Sequence, residues 1–153
     1  MYKRVIFTTD GSKFAEESLP YAVDLAKQCG AELEILSIIE NPVFYGTPEA
    51  TALYDAEFYR SLAAELEKLA QGAVDRARKQ AAEAGVMASA KIRRGSPADE
   101  VVGEAKDWQA DAIVLSTHGR TGLGRIFLGS VANAIVHHAP CPVLLHRVGK
   151  GKS

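Results

Sequence analysis

Cysteine is scarce in this chain. Its 153 residues hold only two, Cys29 and Cys141, far apart and without a CxxC pair. That excludes a disulfide framework, and the two read as small semi-buried thiols in a reducing compartment. Long apolar runs are also lacking, and none approaches the ~20 residues of a membrane span. Met1-Tyr2-Lys3-Arg4 carries the cations of a signal peptide, but Thr8-Thr9-Asp10 stops the apolar run too early for one. A cytoplasmic protein with no membrane partner is expected. Excess charge of either sign is missing too. Lys plus Arg is 18 and Asp plus Glu is 19, for a net charge of −1. Gripping a phosphate backbone needs clustered excess cation, so nucleic acid is not an expected partner.

What is present is the ordinary globular mix, 47% apolar and 24% charged, which argues against disorder and low-complexity repeats. The length suits one domain, expected over residues 1–148, with 149–153 as a disordered tail. Such a domain buries roughly 68–70% of its unfolded surface without staples.

Strand and helix signals alternate five times. Val5-Ile6-Phe7 reads as a buried strand ending at the turn Thr8-Thr9-Asp10-Gly11. Ser12 can cap a helix over Lys13–Gln28, with Gly30 as its stop and a bend expected at Pro20. Leu33–Ile39 is a second strand, broken by Asn41-Pro42, and the stretch to Pro48 reads as an exposed loop. Ala50–Ala84 is helical in character, with Leu62, Leu66, Leu69, Ala73, Ala77 and Ala81 on one stripe. A continuous helix there would be about 50 Å long, against an expected radius of gyration of ~15 Å. A late start between Pro48 and Phe58, or an overhanging end, is therefore expected. Met87–Arg93 is a weaker third strand. Ser96-Pro97-Ala98-Asp99 starts a helix with a capping serine and proline in first position, and Val101, Val102, Ala105 and Trp108 form its apolar face. Ala112–Leu115 is the most continuous apolar strand. A helix from Gly129-Ser130 to His138 and a last strand, Val143-Leu144-Leu145, complete the chain.

Continuous apolar strands separated by helices specify a parallel sheet covered on both faces, and right-handed crossovers make it a doubly wound α/β sandwich. Ligands of such sheets bind beyond the carboxyl ends of the strands. One loop there is rich in chemistry. Ser116 to Ser130 holds four glycines, Arg120, Arg125, His118 and several hydroxyls, and it leads into a helix. Glycines let backbone amides approach an anion, and a helix start adds free N–H groups and a positive dipole end. The natural reading is a phosphate-bearing ligand. The Walker pattern fails, because Gly119 and Gly124 have its spacing but Arg125-Ile126 stands where Lys-Ser/Thr is required. Gly149-Lys150-Gly151-Lys152-Ser153 lacks the upstream glycine and a following helix. The dinucleotide fingerprint fails as well, since the first turn offers only Gly11.

At this loop the sequence resembles the universal stress proteins. Their nucleotide-binding branch carries Gly, two residues, Gly, nine residues, then Gly-Ser/Thr. Gly119, nine residues and Gly129-Ser130 match, while Ser116 stands in place of the first glycine. The likeness extends to the Asp10 turn, to Gly95-Ser96-Pro97 and to Ala139-Pro140-Cys141-Pro142-Val143-Leu144-Leu145. It implies a five-stranded Rossmann-like sheet of the adenine nucleotide α-hydrolase type, in order 3-2-1-4-5. It implies ATP as ligand, with Mg²⁺ or Mn²⁺ on the phosphates, and a binding set of Thr9, Asp10, Ile38, Leu115, Ser116, His118, Gly119, Arg120, Gly129, Ser130 and Val131. Asp10 would face the adenine or ribose region, and Ile38 would offer backbone groups to the adenine edge. Leu115, Ser116 and Gly119 would line ribose and phosphates. Gly129, Ser130 and Val131 would hold the phosphate tail. The likeness also implies a homodimer through the last strand, Val143 to Arg147.

The same residues carry plainer readings. Asp10 is also a turn acid, the glycine loop a connector, and Arg120 and Arg125 solvated charges. Serine at 116 is tolerable if φ there is negative. His137 and His138 point about 100° apart on a helix and do not share a metal easily, so no metal site of side chains alone is expected. No nucleophile–base pair is visible from spacing, no catalytic residue is assigned, and slow ATP hydrolysis is the most that is expected. The leading expectation is an ATP-dependent stress-response switch or binding module. The alternatives are a nucleotide-free dimeric scaffold, which Ser116 favours, and, third, a nucleotide-using transferase.

Overall fold

The computed structural model describes residues 1–40, 55–117 and 128–147. Five parallel strands form one sheet in the order β3-β2-β1-β4-β5. They are β1 (Arg4–Thr8), β2 (Glu32–Ile39), β3 (Ala88–Arg94), β4 (Ala112–Ser116) and β5 (Val143–His146). The helices between them are α1 (Lys13–Cys29), α2 (Ala56–Glu83), α3 (Pro97–Asp107) and α4 (Ser130–His138).

Alternation along the strands decides which helix covers which face. Val5, Phe7, Leu33, Ile35 and Val114 point to one side, where Leu19, Ala22 and Val23 of α1 meet Val74, Ala77 and Ala81 of α2. Ile6, Leu36, Ile113 and Leu115 point to the other, against Val101 and Ala105 of α3 and Ala132 and Ile135 of α4. This two-sided burial is why β1, β2 and β4 read as continuous apolar runs rather than alternating ones.

The helix boundaries follow local chemistry. Ser12 caps α1, its hydroxyl accepting from Ala15 N at 3.2 Å. Gly30 ends that helix in the left-handed region, at φ 63°, which a residue without Cβ enters freely. The helix runs unbroken through Pro20, which lies on its exposed side. The late start of the long helix is borne out: Asp55 caps α2, its carboxylate accepting from Phe58 N at 2.9 Å. At about 42 Å, α2 still outruns the sheet, and its buried residues begin only at Ala70.

Two expectations need correction. Leu69, assigned to the core stripe, is 55% exposed; the buried positions around it are Ala70, Ala73 and Val74. Leu69 lies about 100° round the helix from Ala70, off the face that Ala70, Ala73, Val74, Ala77 and Ala81 bury. Ser96 precedes α3 as expected, but its side chain makes no capping bond. Pro97 stands at the first helical position, where its missing N–H costs the helix no bond. Trp108 packs at the end of α3 as expected, with the Arg4 guanidinium 6.0 Å from its ring centre and Arg4 Nη1 donating to its carbonyl at 3.0 Å. Cys29 and Cys141 are both free and half-buried. The 149–153 tail lies outside the described residues.

Candidate functional site

The crossover after β1 runs to one face of the sheet and the crossover after β4 to the other. Between their carboxyl ends the sheet therefore leaves a crevice that no helix among the described residues covers. The strand registers fix what meets there. Phe7 pairs with Val114 and Thr8 with Leu36, so two residues further on Thr9 comes level with Ser116 and Asp10 with Ile38.

Thr9 and Asp10 shape the turn into α1. Thr9 is buried; its N–H donates to Leu36 O at 2.9 Å and its Oγ1 accepts from Gly11 N at 3.1 Å. Asp10 Oδ1 accepts from Ser12 N at 2.9 Å, the local bond of a turn acid. Gly11, at φ 77°, makes the sharp reversal that a Cβ would strain. These bonds hold the half-exposed Asp10 at the end of β1.

Ser116 closes β4 in extended conformation, in register with His146 of β5, and is buried. Among the described non-glycine residues only Gln109 has positive φ. The serine in place of a glycine therefore sits there without backbone strain, the condition on which its tolerance depended. Leu115 is 4% exposed and turned into the α3/α4 layer, so only its backbone can serve the crevice. Ile38 is half-buried against the same layer.

The loop after β4 leaves and returns at one point. Gly129 N donates to Thr117 O at 3.0 Å, and a Cβ on Gly129 would stand 3.2 Å from that same oxygen. Glycine is favoured here by close approach, since its φ of −57° is ordinary. Gly129 then caps α4 with its carbonyl, accepting from Asn133 N at 2.9 Å, and no side chain among the described residues caps this helix. The Gly129 amide is thereby used inside the fold. The amides of Ser130 and Val131 are first-turn donors with no helical carbonyl to bond, at the positive end of the dipole. Both residues are exposed. His118, Gly119 and Arg120, with Arg125, lie outside the described residues.

Spacing gave no hint of one pair that the fold brings together. Ser18 Oγ and His146 Nδ1 are 2.9 Å apart, and Tyr21 stacks on the imidazole at 4.3 Å. Ser18 is fully buried and its hydroxyl donates to Phe14 O at 2.8 Å, so it cannot reach a substrate. The pair ties α1 to β5. Cys141 is equally unsuited to attack, because burial, with the nearby Asp111 charge, pushes its thiol pKa up. A cleft of only about 10 Å³ beside Thr9, Gly11, Ala73 and Arg76 lies on the α1/α2 side of the turn. It falls far short of the ~300–1,000 Å³ of small-molecule sites.

The crevice and its glycine-ended loop match a known design. The universal stress protein family model covers residues 1–147. The chain belongs to the universal stress protein family. Universal stress protein MJ0531 of Methanocaldococcus jannaschii is 38% identical over 146 residues, 95% of this chain and 82% of the relative. Universal stress protein YxiE of Bacillus subtilis is 32% identical over 148 residues, 96% of this chain and all of the relative. Among solved structures, hypothetical protein MJ0577 superposes with a TM-score of 0.81 at 27% identity, over 99% of both chains. The strand order expected of a universal stress protein is the one observed. No helix among the described residues is long and apolar enough to cross a membrane.

Proposed function

We propose that this universal stress protein binds ATP in the crevice between β1 and β4 and works as a nucleotide-dependent switch or binding module. The observation that carries the reading is the start of α4. The Gly129 amide locks onto Thr117, no described side chain caps the helix, and the first-turn amides of Ser130 and Val131 have no helical carbonyl to bond. An anion is the natural partner of such a terminus. Asp10, held by Ser12 N at the end of β1, stands where a ribose hydroxyl would find an acceptor. Ile38 supplies backbone groups one strand further along. Mg²⁺ or Mn²⁺ would be held chiefly by the phosphates, neutralising their charge. Proteins sharing this fold include a universal stress protein in complex with cAMP and an Arabidopsis thaliana member with AMP bound. The fold therefore accommodates adenine nucleotides, while the case for this chain rests on its own residues.

The same reading includes a homodimer. β5 is an edge strand with Leu144 39% exposed, and Val136 of the adjoining α4 is 43% exposed. Pairing Val143–Arg147 with a second copy would cover this edge. The competing reading is a nucleotide-free scaffold. The residue that favours it, Ser116, is accommodated by the backbone and so counts less than its sequence suggests.

Calorimetric titration with ATP and Mg²⁺ tests the proposal. Gly129→Asp keeps a good capping residue at the start of α4 but puts a carboxylate where the phosphates would lie. It is expected to weaken binding at least about tenfold, a loss of about 1.4 kcal/mol, and unfolding of the variant without ligand measures separately what the 3.2 Å approach to Thr117 O costs the fold. Absence of heat and of any shift in unfolding temperature at millimolar ATP would overturn nucleotide binding in favour of the scaffold. Sedimentation equilibrium showing only monomer at micromolar concentration would remove the dimer.

A further inference from the structure

Glu34 stands in the middle of β2, facing the α3/α4 layer, with only 6% of its surface exposed. Opposite it, Glu104 of α3 is 3% exposed. As carboxylates the two would repel each other, and a proton held between them removes that repulsion and supplies a hydrogen bond. Glu34 Oε1, fully buried, accepts no hydrogen bond.

The surrounding cations do not remove the need for that proton. Arg93 of β3 points at this layer, but none of the hydrogen bonds it makes goes to Glu34. Nε donates to Glu100 Oε2 at 2.7 Å, and Nη1 to Glu104 Oε2 at 2.8 Å and Asp107 Oδ2 at 3.0 Å. Lys91 of β3 is 3.9 Å from Glu104 and half exposed. Arg4 of β1 directs its guanidinium to the Trp108 carbonyl and Gln109. The strand neighbours of Glu34 in register are Ile6 and Ser89, neither of which carries charge. Four acids, Glu34, Glu100, Glu104 and Asp107, thus face Arg93 and Lys91, one carboxyl of the buried pair lacking a counter-charge of its own.

We propose that Glu34 and Glu104 share one proton beneath α3, and that its loss as pH rises loosens this helix from β2 and β3, making the layer a pH-sensitive latch. The direction of the linkage follows from burial, which pushes the Glu34 pKa from its ordinary 4.5 to about 7, helped by the Glu104 charge and opposed by Lys91 and Arg93. The closed layer keeps the proton that an opened one releases. Closure is therefore favoured fully below about pH 4.5, progressively less up to about pH 7, and no further above that. The helix that loosens shares its core with Ala132 and Ile135 of α4, so the movement is felt beside Ser130.

Two measurements on the intact chain test the latch. The first follows the Glu34 side-chain carboxyl carbon by NMR across pH. A midpoint near 7 is expected, and one in the ordinary carboxylate range overturns the shared proton. The second is hydrogen exchange of the α3 amides, corrected for the intrinsic pH dependence of exchange. In the wild type, the opening equilibrium of α3 should rise on the order of 50-fold between about pH 5 and about pH 8. In Glu34→Gln, which keeps the hydrogen bond but cannot ionise, it should be flat. Parallel wild-type and variant profiles, or an opening spread equally over α1 and α2, would overturn the latch. The NMR titration needs no variant, so a Glu34→Gln chain that fails to fold leaves the proposal exposed to refutation.

Discussion

The two faces of the sheet are packed with different chemistry. On the α1/α2 side the buried contacts are apolar, with Phe7, Leu19, Ile35 and Val74 at the centre and Ser18 as the one buried polar side chain on α1. On the α3/α4 side an apolar cluster around Ile113 and Ile135 continues into Glu34, Glu104 and Arg93. Apolar packing is insensitive to pH and forgiving of small shifts, whereas buried charge is stable only in one arrangement of partners. The difference teaches that one layer anchors the sheet while the other can respond to its surroundings.

Mutations can sharpen that contrast. Leu19→Ala, in the apolar layer, should cost about 3 kcal/mol through lost transfer energy and a cavity. Its effect on urea unfolding should be the same at every pH. Arg93→Ala, in the charged layer, should cost about 2 kcal/mol, since it strands Glu104 but the arginine is itself a quarter exposed. Its cost should grow with pH, because more carboxylate is then left without a guanidinium. A uniform cost would break the comparison.

The smallest effects make the finest test. Each layer has a helical glycine facing an arginine. A Cβ on Gly72 of α2 would meet Arg76 Nη1 at 3.3 Å, and Arg76 is a half-exposed side chain that can swing away. Gly72→Ala should therefore raise stability by up to about 1 kcal/mol through helix propensity. A Cβ on Gly103 of α3 would stand 3.1 Å from Arg93 Nη2, and Arg93 is held by three carboxylates. Gly103→Ala should lose about 1 kcal/mol despite the same propensity gain. Equal shifts in unfolding temperature for the two variants would show that the arginine cluster is no more rigid than a surface side chain.

Local patterns made most of the fold legible. Val5-Ile6-Phe7, Ser12, Gly30 and Pro97 each act through their own few neighbours, and the structure uses them as strand, cap, stop and helix start. Leu69 misled because apolar spacing leaves the edge of a stripe undecided: it stands about 100° round from the buried Ala70, on the solvent side. The candidate site was legible through its glycines and through the family likeness. That the Gly129 amide would be used on Thr117 depends on how the two ends of a loop meet, which no spacing reveals. Glu34 and Glu104 lie far apart in the chain and in different elements. One signal was nonetheless available, since a carboxylate inside the run Leu33-Glu34-Ile35-Leu36 has no solvent to face once both sides of the sheet are covered.

The bond between Thr117 and Gly129 makes residues 118–127 an appendix whose two attachment points are already joined. Lengthening such an appendix costs little, about 0.6 kcal/mol for each doubling of a flexible loop. Evolution can thus rewrite that stretch, in length and in chemistry, while β4 and α4 keep their places.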